Sequence, residues 1–326
     1  MGWKLNKFKQ LKNYVPMTLF FGTGSLSLLV GLIFVNCACA KYHSVLNEDP
    51  ALLRSTESHS LVSISPPLAW KEIKKVVVIV LENSDVDSTL SLSHFNRLAK
   101  KGAFLSNYYG ITHPSQPNYI AMISGSTQGV DSNSNASLPM KHIGDLLEIK
   151  GKTWRAYGED YPGDCYLNDS SGNYVRKHMP FLSFENIQNN RIRCNQVVSA
   201  KNFGADLIHS NLADFSLFIP NQLNNGHDTG VGYANNWVGE KLLPMLEQRS
   251  PDNDTLFIIT FDEGSYLSDN KIYTVLFGAG VQPGITSTRA YSHFSLLKTI
   301  EMIFGLPTLG LNDVKATFIN DVWKTE

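Results

Sequence analysis

The sequence predicts an α/β domain with a largely parallel central sheet, on three observations. Val76 to Leu81 and Leu256 to Phe261 are continuous apolar, β-rich runs without alternation, as expected of strands buried on both faces. Strand-like and helix-like stretches alternate from residue 76 to about residue 304, which calls for a sheet covered by helices on both sides. A length of 326 residues, with 43% hydrophobic and 17% charged residues and no internal repeat, suits one large domain. The expected architecture is therefore a three-layer α/β/α sandwich. A formal net charge of −1 gives no electrostatic footprint for a nucleic acid.

The elements follow in order. Residues 41 to about 70 show no period and end in Ser65-Pro66-Pro67, a linker or N-terminal arm leading into a domain over 71–326. Val76 to Leu81 is the first strand. Helical spacing appears at His94 to Lys101 and stops at Gly102. Ala103 to Ile111 reads as a strand and Gln116 to Ser124 as a helix. Met140 to Ile149 is a further helix closed by Gly151, and Thr153 to Tyr157 a strand. From Gly158 to about Ser199 the pattern is irregular and polar, as in a surface insertion. Phe215 to Ile219 resumes the core, followed by a helix through Trp237 to Leu246, strands at Thr255 to Phe261 and Ile272 to Phe277, and an amphipathic helix from His293 to Phe304.

The N-terminus has a different character. Lys4, Lys7, Lys9 and Lys12 precede an apolar stretch over residues 15–35, followed by Ala38-Cys39-Ala40. A positive start, an apolar middle and a small-residue end form an export signal, with cleavage expected after Ala40. A retained anchor is the competing reading, since the stretch approaches spanning length. Export leaves Cys165 and Cys194, and two cysteines outside the cytosol predict one disulfide. The expected location is secreted, periplasmic or cell-surface, with membrane contact only through an uncleaved N-terminal segment.

Chemistry concentrates at three places. Pro114 and Pro117 bracket Ser115 ahead of an apolar helical run, so the hydroxyl is held stiffly at a turn, as a nucleophile requires. The first apolar strand delivers Glu82-Asn83, and the strand at 256–261 delivers Asp262-Glu263. Open α/β sheets bind ligands beyond the carboxyl ends of their strands. Carboxylates at two such ends predict a hard divalent cation held by Glu82, Asn83, Ser115, Asp262 and Glu263. His113, His227 and His293 are candidate phosphate donors or general acids, whereas His142 and His209 are read as structural or solvated.

Glu82-Asn83, His113 to Tyr119, Asn224-Asn225-Gly226-His227-Asp228-Thr229, Phe261-Asp262-Glu263 and Tyr291 to Ser295 occur in this order. Together they resemble the phosphoesterase family of fungal-type acid phosphatases and non-specific phospholipases C, in the alkaline phosphatase-like fold group. The resemblance spans about Val76 to Gly310. It implies that Ser115 is the nucleophile, that Glu82, Asp262 and Glu263 hold metal, and that Asn83, Asn118 and Asp228 lie on the phosphate side, together with Lys177 or His178. A solvated basic run over Arg176-Lys177-His178 is the alternative for the last two. Asn225 stands where fungal-type relatives carry aspartate, and Asn235 at a second such position. An amide offsets no cation charge, so one metal is expected to be held firmly and a second is left open.

The expected function is exported, metal-dependent hydrolysis of a phosphomonoester through a phosphoserine. The substrate is then a small phosphate ester or a phospholipid headgroup. A phospholipase C-like phosphodiesterase is the neighbouring alternative. A weakly active, surface-anchored binding protein that keeps the fold is the alternative from another class.

Overall fold

The computed structural model describes residues 66–247 and 254–325. The expected export signal, anchor and most of the N-terminal arm lie outside the described residues.

An eight-stranded sheet organises the chain. Its strands are β1 (Lys75–Leu81), β2 (Ala103–Leu105), β3 (Trp154–Gly158), β4 (Val197–Ser199), β5 (Phe215–Ile219), β6 (Thr255–Phe261), β7 (Thr274–Gly278) and β8 (Thr286–Ser287). Their order across the sheet is β8-β2-β7-β6-β1-β5-β3-β4. β4, β3, β5, β1 and β6 run parallel, and β7 alone runs against its neighbours. β6 is buried at every position and β1 at all but its first. Successive strand residues face opposite sides, so both faces of the sheet are covered, as the unbroken apolar runs predicted.

The parallel register puts two strand ends side by side. Leu81 of β1 stands opposite Phe261 of β6, and the Asp262 amide donates to the Leu81 carbonyl at 3.0 Å. Glu82 and Asp262 therefore leave the sheet at one level on adjacent strands. On the other flank of β1, the Glu82 amide donates to the carbonyl of Asn225, in the loop after β5 (3.0 Å).

Helix α1 (Ser93–Lys101) begins one residue before its predicted start, and α2 (Ser115–Ser124) begins at the serine itself. Gly125 closes α2 in the left-handed region (φ 73°), where a Cβ would also meet Asp313 Oδ1 at 2.8 Å. Helix α3 covers only Ile143–Ile149, because the His142 side chain caps its first turn and Asp145 returns the bond to the His142 amide. The predicted strand at 272–277 is broken at Tyr273, and the predicted strand at 103–111 at Ser106-Asn107. Both breaks serve a second, three-stranded sheet of Tyr108–Tyr109, Lys271–Ile272 and Tyr291–Ser292. It lies beside the segments that carry Thr112, Asn270 and His293.

Residues 158–199 depart from the expected surface insertion. Met179, Phe181, Leu182, Phe184, Ile187 and Cys194 are fully buried, and Val197–Ser199 supplies an edge strand of the main sheet. Its polar sequence hides this because apolar residues enter singly through short 3₁₀ turns, where neither the helix nor the strand period applies. Cys165 and Cys194 form the expected disulfide within it.

Helix α4 (His293–Ile303) packs on α2 and carries a buried carboxyl, Glu301, beside the Asp313 carboxylate and the Leu309 amide. Burial, and then the Asp313 carboxylate, push its pKa up to about 8; Lys298 and the Leu309 amide oppose this. The folded protein thus retains a proton that the unfolded chain releases near its ordinary value of 4.5. The stability Glu301 contributes is complete below that value and is lost as pH rises through about 8. Glu301→Gln is expected to remove this slope, gaining on the order of 2 kcal/mol at pH 8 and little at pH 4.5. Urea midpoints at the two pH values check it, and an unchanged slope in the variant contradicts it.

Candidate active site

Ser115 is the first residue of α2, 2% exposed, and its hydroxyl lies between two carboxylates. Oγ is 2.8 Å from Glu263 Oε1 and 3.1 Å from Glu82 Oε2. A single hydroxyl proton serves one of these at a time. Three segments converge here because the two strand ends are neighbours and α2 starts against them. The start of α2 also aims its positive dipole end at this point, which favours an anion.

Each carboxylate has further support. Glu82 Oε1 accepts from the Tyr119 hydroxyl at 2.5 Å and lies 3.0 Å from His178 Nε2. Glu263 Oε2 is 2.5 Å from His113 Nδ1. Asp262 Oδ1 accepts from the Asn83 amide at 3.3 Å, whereas Oδ2 is buried without a partner. Burial pushes Glu82 up to about 7, against the Tyr119 bond and the nearby Lys177 charge. Asp262 is raised well above the carboxylate range by burial and then by Glu82 and Glu263. Burial, followed by the Lys177 charge, keeps His178 neutral.

Two carboxylates share the Ser115 hydroxyl, and a third, Asp262, lies close enough to both to feel their charge and has an orphaned oxygen; these are donors that a divalent cation fits. Burying such charges is unfavourable unless they are paired or bound to metal, and oxygen donors suit a hard ion. Glu82, Asp262, Glu263 and the Ser115 oxygen would hold it. Among the described residues no three histidine, cysteine or acidic side chains are already gathered as a cage; the Ser115 hydroxyl bridges two of the carboxylates instead.

On the opposite flank, His227 Nδ1 is 2.7 Å from Asp228 Oδ1 and Nε2 is 3.3 Å from Lys177 Nζ. The Asp228 bond favours the proton on Nδ1, with Nε2 accepting from lysine. The loop that holds His227 is fixed by Asn221, Asn224 and Asn225, whose side chains bond Asp160, Glu159 and the His227 amide. The His227 and His178 ring centroids are 5.8 Å apart, which brings this flank against Glu82.

Several expected roles are redrawn by these contacts. Asn118 was assigned to phosphate, but Oδ1 accepts from the Ile111 and Thr112 amides while Nδ2 donates to the Thr112 and Pro114 carbonyls. Its amide is committed to shaping the approach to Ser115. His293 was a candidate general acid, yet it is fully buried, with Nε2 2.6 Å from the Asp262 carbonyl and Nδ1 3.1 Å from the Tyr108 hydroxyl. Burial pushes it down to about 4, so it holds Asp262 in place. His178 is buried and stacks on Tyr119, with Nε2 3.0 Å from Glu82 Oε1. Asp228 orients His227, a task a carboxylate does better than binding an anion. Asn83 is exposed with φ 55°, a left-handed conformation asparagine tolerates. Asn235 caps α1, accepting from the His94 and Phe95 amides, so it lies in the scaffold and not in a second metal site.

Tyr119 was missed. Its place four residues after Ser115 on one helix face is the signal that could have found it. A surface groove of about 640 Å³, lined by Phe218, Asn224, Tyr233 and Trp237, includes neither Ser115 nor the carboxylates beside it; chemistry, not size, selects the site.

A model of the Phosphoesterase family matches residues 89–307. The chain is 33% identical to a probable acid phosphatase of Kluyveromyces lactis, covering 92% of this chain and 76% of that protein. It is 32% identical to a phosphatidylinositol-3-phosphatase of Mycobacterium tuberculosis, covering 76% of this chain and 82% of that protein. Among solved structures it resembles a Vibrio parahaemolyticus protein of the alkaline phosphatase superfamily. That match has a TM-score of 0.51 at 14% identity over 74% of this chain and 70% of that one.

Proposed function

The chain belongs to the phosphoesterase family, and from that premise we propose that it is an exported, metal-dependent phosphomonoesterase with Ser115 as nucleophile. It is a phosphoric ester hydrolase by the family it joins. The observation that carries the finer reading is the Ser115 hydroxyl, held at a helix start within hydrogen-bond reach of Glu82 and Glu263. The acid phosphatase and phosphatidylinositol-3-phosphatase relatives support monoester chemistry. The export-signal pattern read in the sequence of residues 1–40 supports secretion, with a retained anchor as the alternative. Among the described residues no helix is long and apolar enough to cross a membrane.

The geometry supports the following course. Glu263, the nearer carboxylate, or Glu82 takes the Ser115 proton as Oγ attacks phosphorus, and the ester P–O bond breaks on the opposite side. The α2 N-terminus and Lys177 offset charge on the phosphoryl oxygens. A divalent cation on Glu82, Asp262 and Glu263 supplies further positive charge to the Ser115 oxygen and the phosphoryl group when bound. In the step that expels the alcohol His227 is protonated on both ring nitrogens, with Nδ1 held by Asp228; Nε2 gives its proton to the departing alkoxide and then takes one from the water that attacks phosphoserine. Phosphate leaves, and Ser115 recovers its proton. The substrate is a small phosphate ester or the phosphate of a lipid headgroup; no nucleic-acid partner enters.

Turnover of p-nitrophenyl phosphate and p-nitrophenyl phosphocholine, with and without chelator, tests the reading. The first ester is expected to be hydrolysed by far the faster, with activity lost on chelation and restored by added metal. Faster cleavage of the choline diester indicates a phosphodiesterase. Turnover of neither ester indicates a binding protein.

A further inference from the structure

Residues Gly264 to Asn270 form a loop immediately after the catalytic pair Asp262-Glu263, and both of its ends are fastened. The Ser265 amide and hydroxyl bond the Asp85 carboxylate at 3.0 and 2.6 Å. The Gly264 amide donates to Asn270 Oδ1 at 2.7 Å, and Asn270 Nδ2 donates to the Thr112 carbonyl at 3.2 Å. The tip between these anchors carries Tyr266 and Leu267, which are 79% and 95% exposed. They are the two most exposed large apolar side chains among the described residues. A fastened loop that shows its apolar residues to solvent leaves a surface for something to cover.

Its position says what. The Tyr266 ring centroid is 5.4 Å from that of His113, and His113 contacts Glu263, which contacts the Ser115 hydroxyl. Ser115 lies on the buried floor of the site. In-line displacement sends the leaving alcohol away from the attacking oxygen and out of this buried floor. Its oxygen meets His227, and Tyr266 and Leu267 stand exposed across the mouth, beside His113, where the rest of an extended alcohol can reach them. The mouth thus offers charge at its floor for a phosphoryl group and apolar surface at its rim for the alcohol.

We propose that Tyr266 and Leu267 form an alcohol-side subsite that selects phosphate monoesters of apolar alcohols. The assignment rests on the phosphomonoesterase reading. The test uses the metal-loaded full chain and two non-hydrolysable probes, ethylphosphonate and octylphosphonate, the latter below its aggregation concentration, with affinities measured by calorimetry. Octylphosphonate is expected to bind about tenfold tighter, since its added methylenes gain apolar contact. That ratio should fall toward one in Tyr266→Ser/Leu267→Ser, and in part in Leu267→Ser, where a fully solvated residue carries no folding role. The kcat/KM ratio of octyl to ethyl phosphate should follow the same order. Equal affinity of the intact protein for the two probes overturns the subsite, as does an undiminished ratio in the double variant or the absence of binding by either probe. Failure of the phosphomonoesterase reading looks different: no turnover of any monoester, with the affinity ratio intact.

Discussion

Ser115→Ala is expected to lower kcat toward p-nitrophenyl phosphate by roughly a thousandfold or more while the protein stays folded. The hydroxyl is the only group of Ser115 that reaches the two carboxylates, and a methyl fits wherever a hydroxymethyl did. Circular dichroism and thermal melting should therefore match the parent. Loss of activity with loss of structure is a different result, and Ser115→Cys then separates a packing role from a chemical one. A folded Ser115→Ala enzyme near full activity would remove serine from the mechanism and leave attack by water as the alternative.

Asp262→Asn carries the second large effect, in opposite directions for activity and stability. The Asp262 carboxylate is buried beside Glu82 and Glu263, with one oxygen lacking a partner. Without a cation it adds repulsion, and with one it supplies charge. The substitution should lower turnover by about a hundredfold at limiting metal, with partial recovery as metal is raised. It should also raise the thermal midpoint of the chelated protein and diminish the rise that added metal produces. Unchanged activity together with an unchanged metal-induced rise would place the cation elsewhere or dispense with it.

The centre of this site was legible because the fold itself gathers it. Glu82 and Asp262 each follow a long apolar run, and parallel strands of one sheet present their ends together. The serine was marked by its two prolines. What escaped the sequence were roles set by neighbours far along the chain. Asn118 and His293 carry the residue types of phosphate ligands, yet their polar atoms are committed to the Thr112 and Pro114 carbonyls and to Asp262. Asn235 lies after an active-site loop but caps a helix that begins 142 positions earlier, at Ser93. The burial of residues 176–187 was invisible because its apolar residues obey no single period. Tyr119 was legible at helical spacing from Ser115, but its bond to Glu82 depends on where β1 ends. The reversal of β7 has no local signature, since a parallel and an antiparallel interior strand carry the same apolar run.

The stereochemical course at phosphorus tests the central claim most directly. An isotopically chiral thiophosphate monoester hydrolysed in labelled water should give product with configuration retained, because attack by Ser115 and then by water are two in-line displacements. Inversion would mean a single displacement by water, and Ser115 would then be only the first residue of its helix.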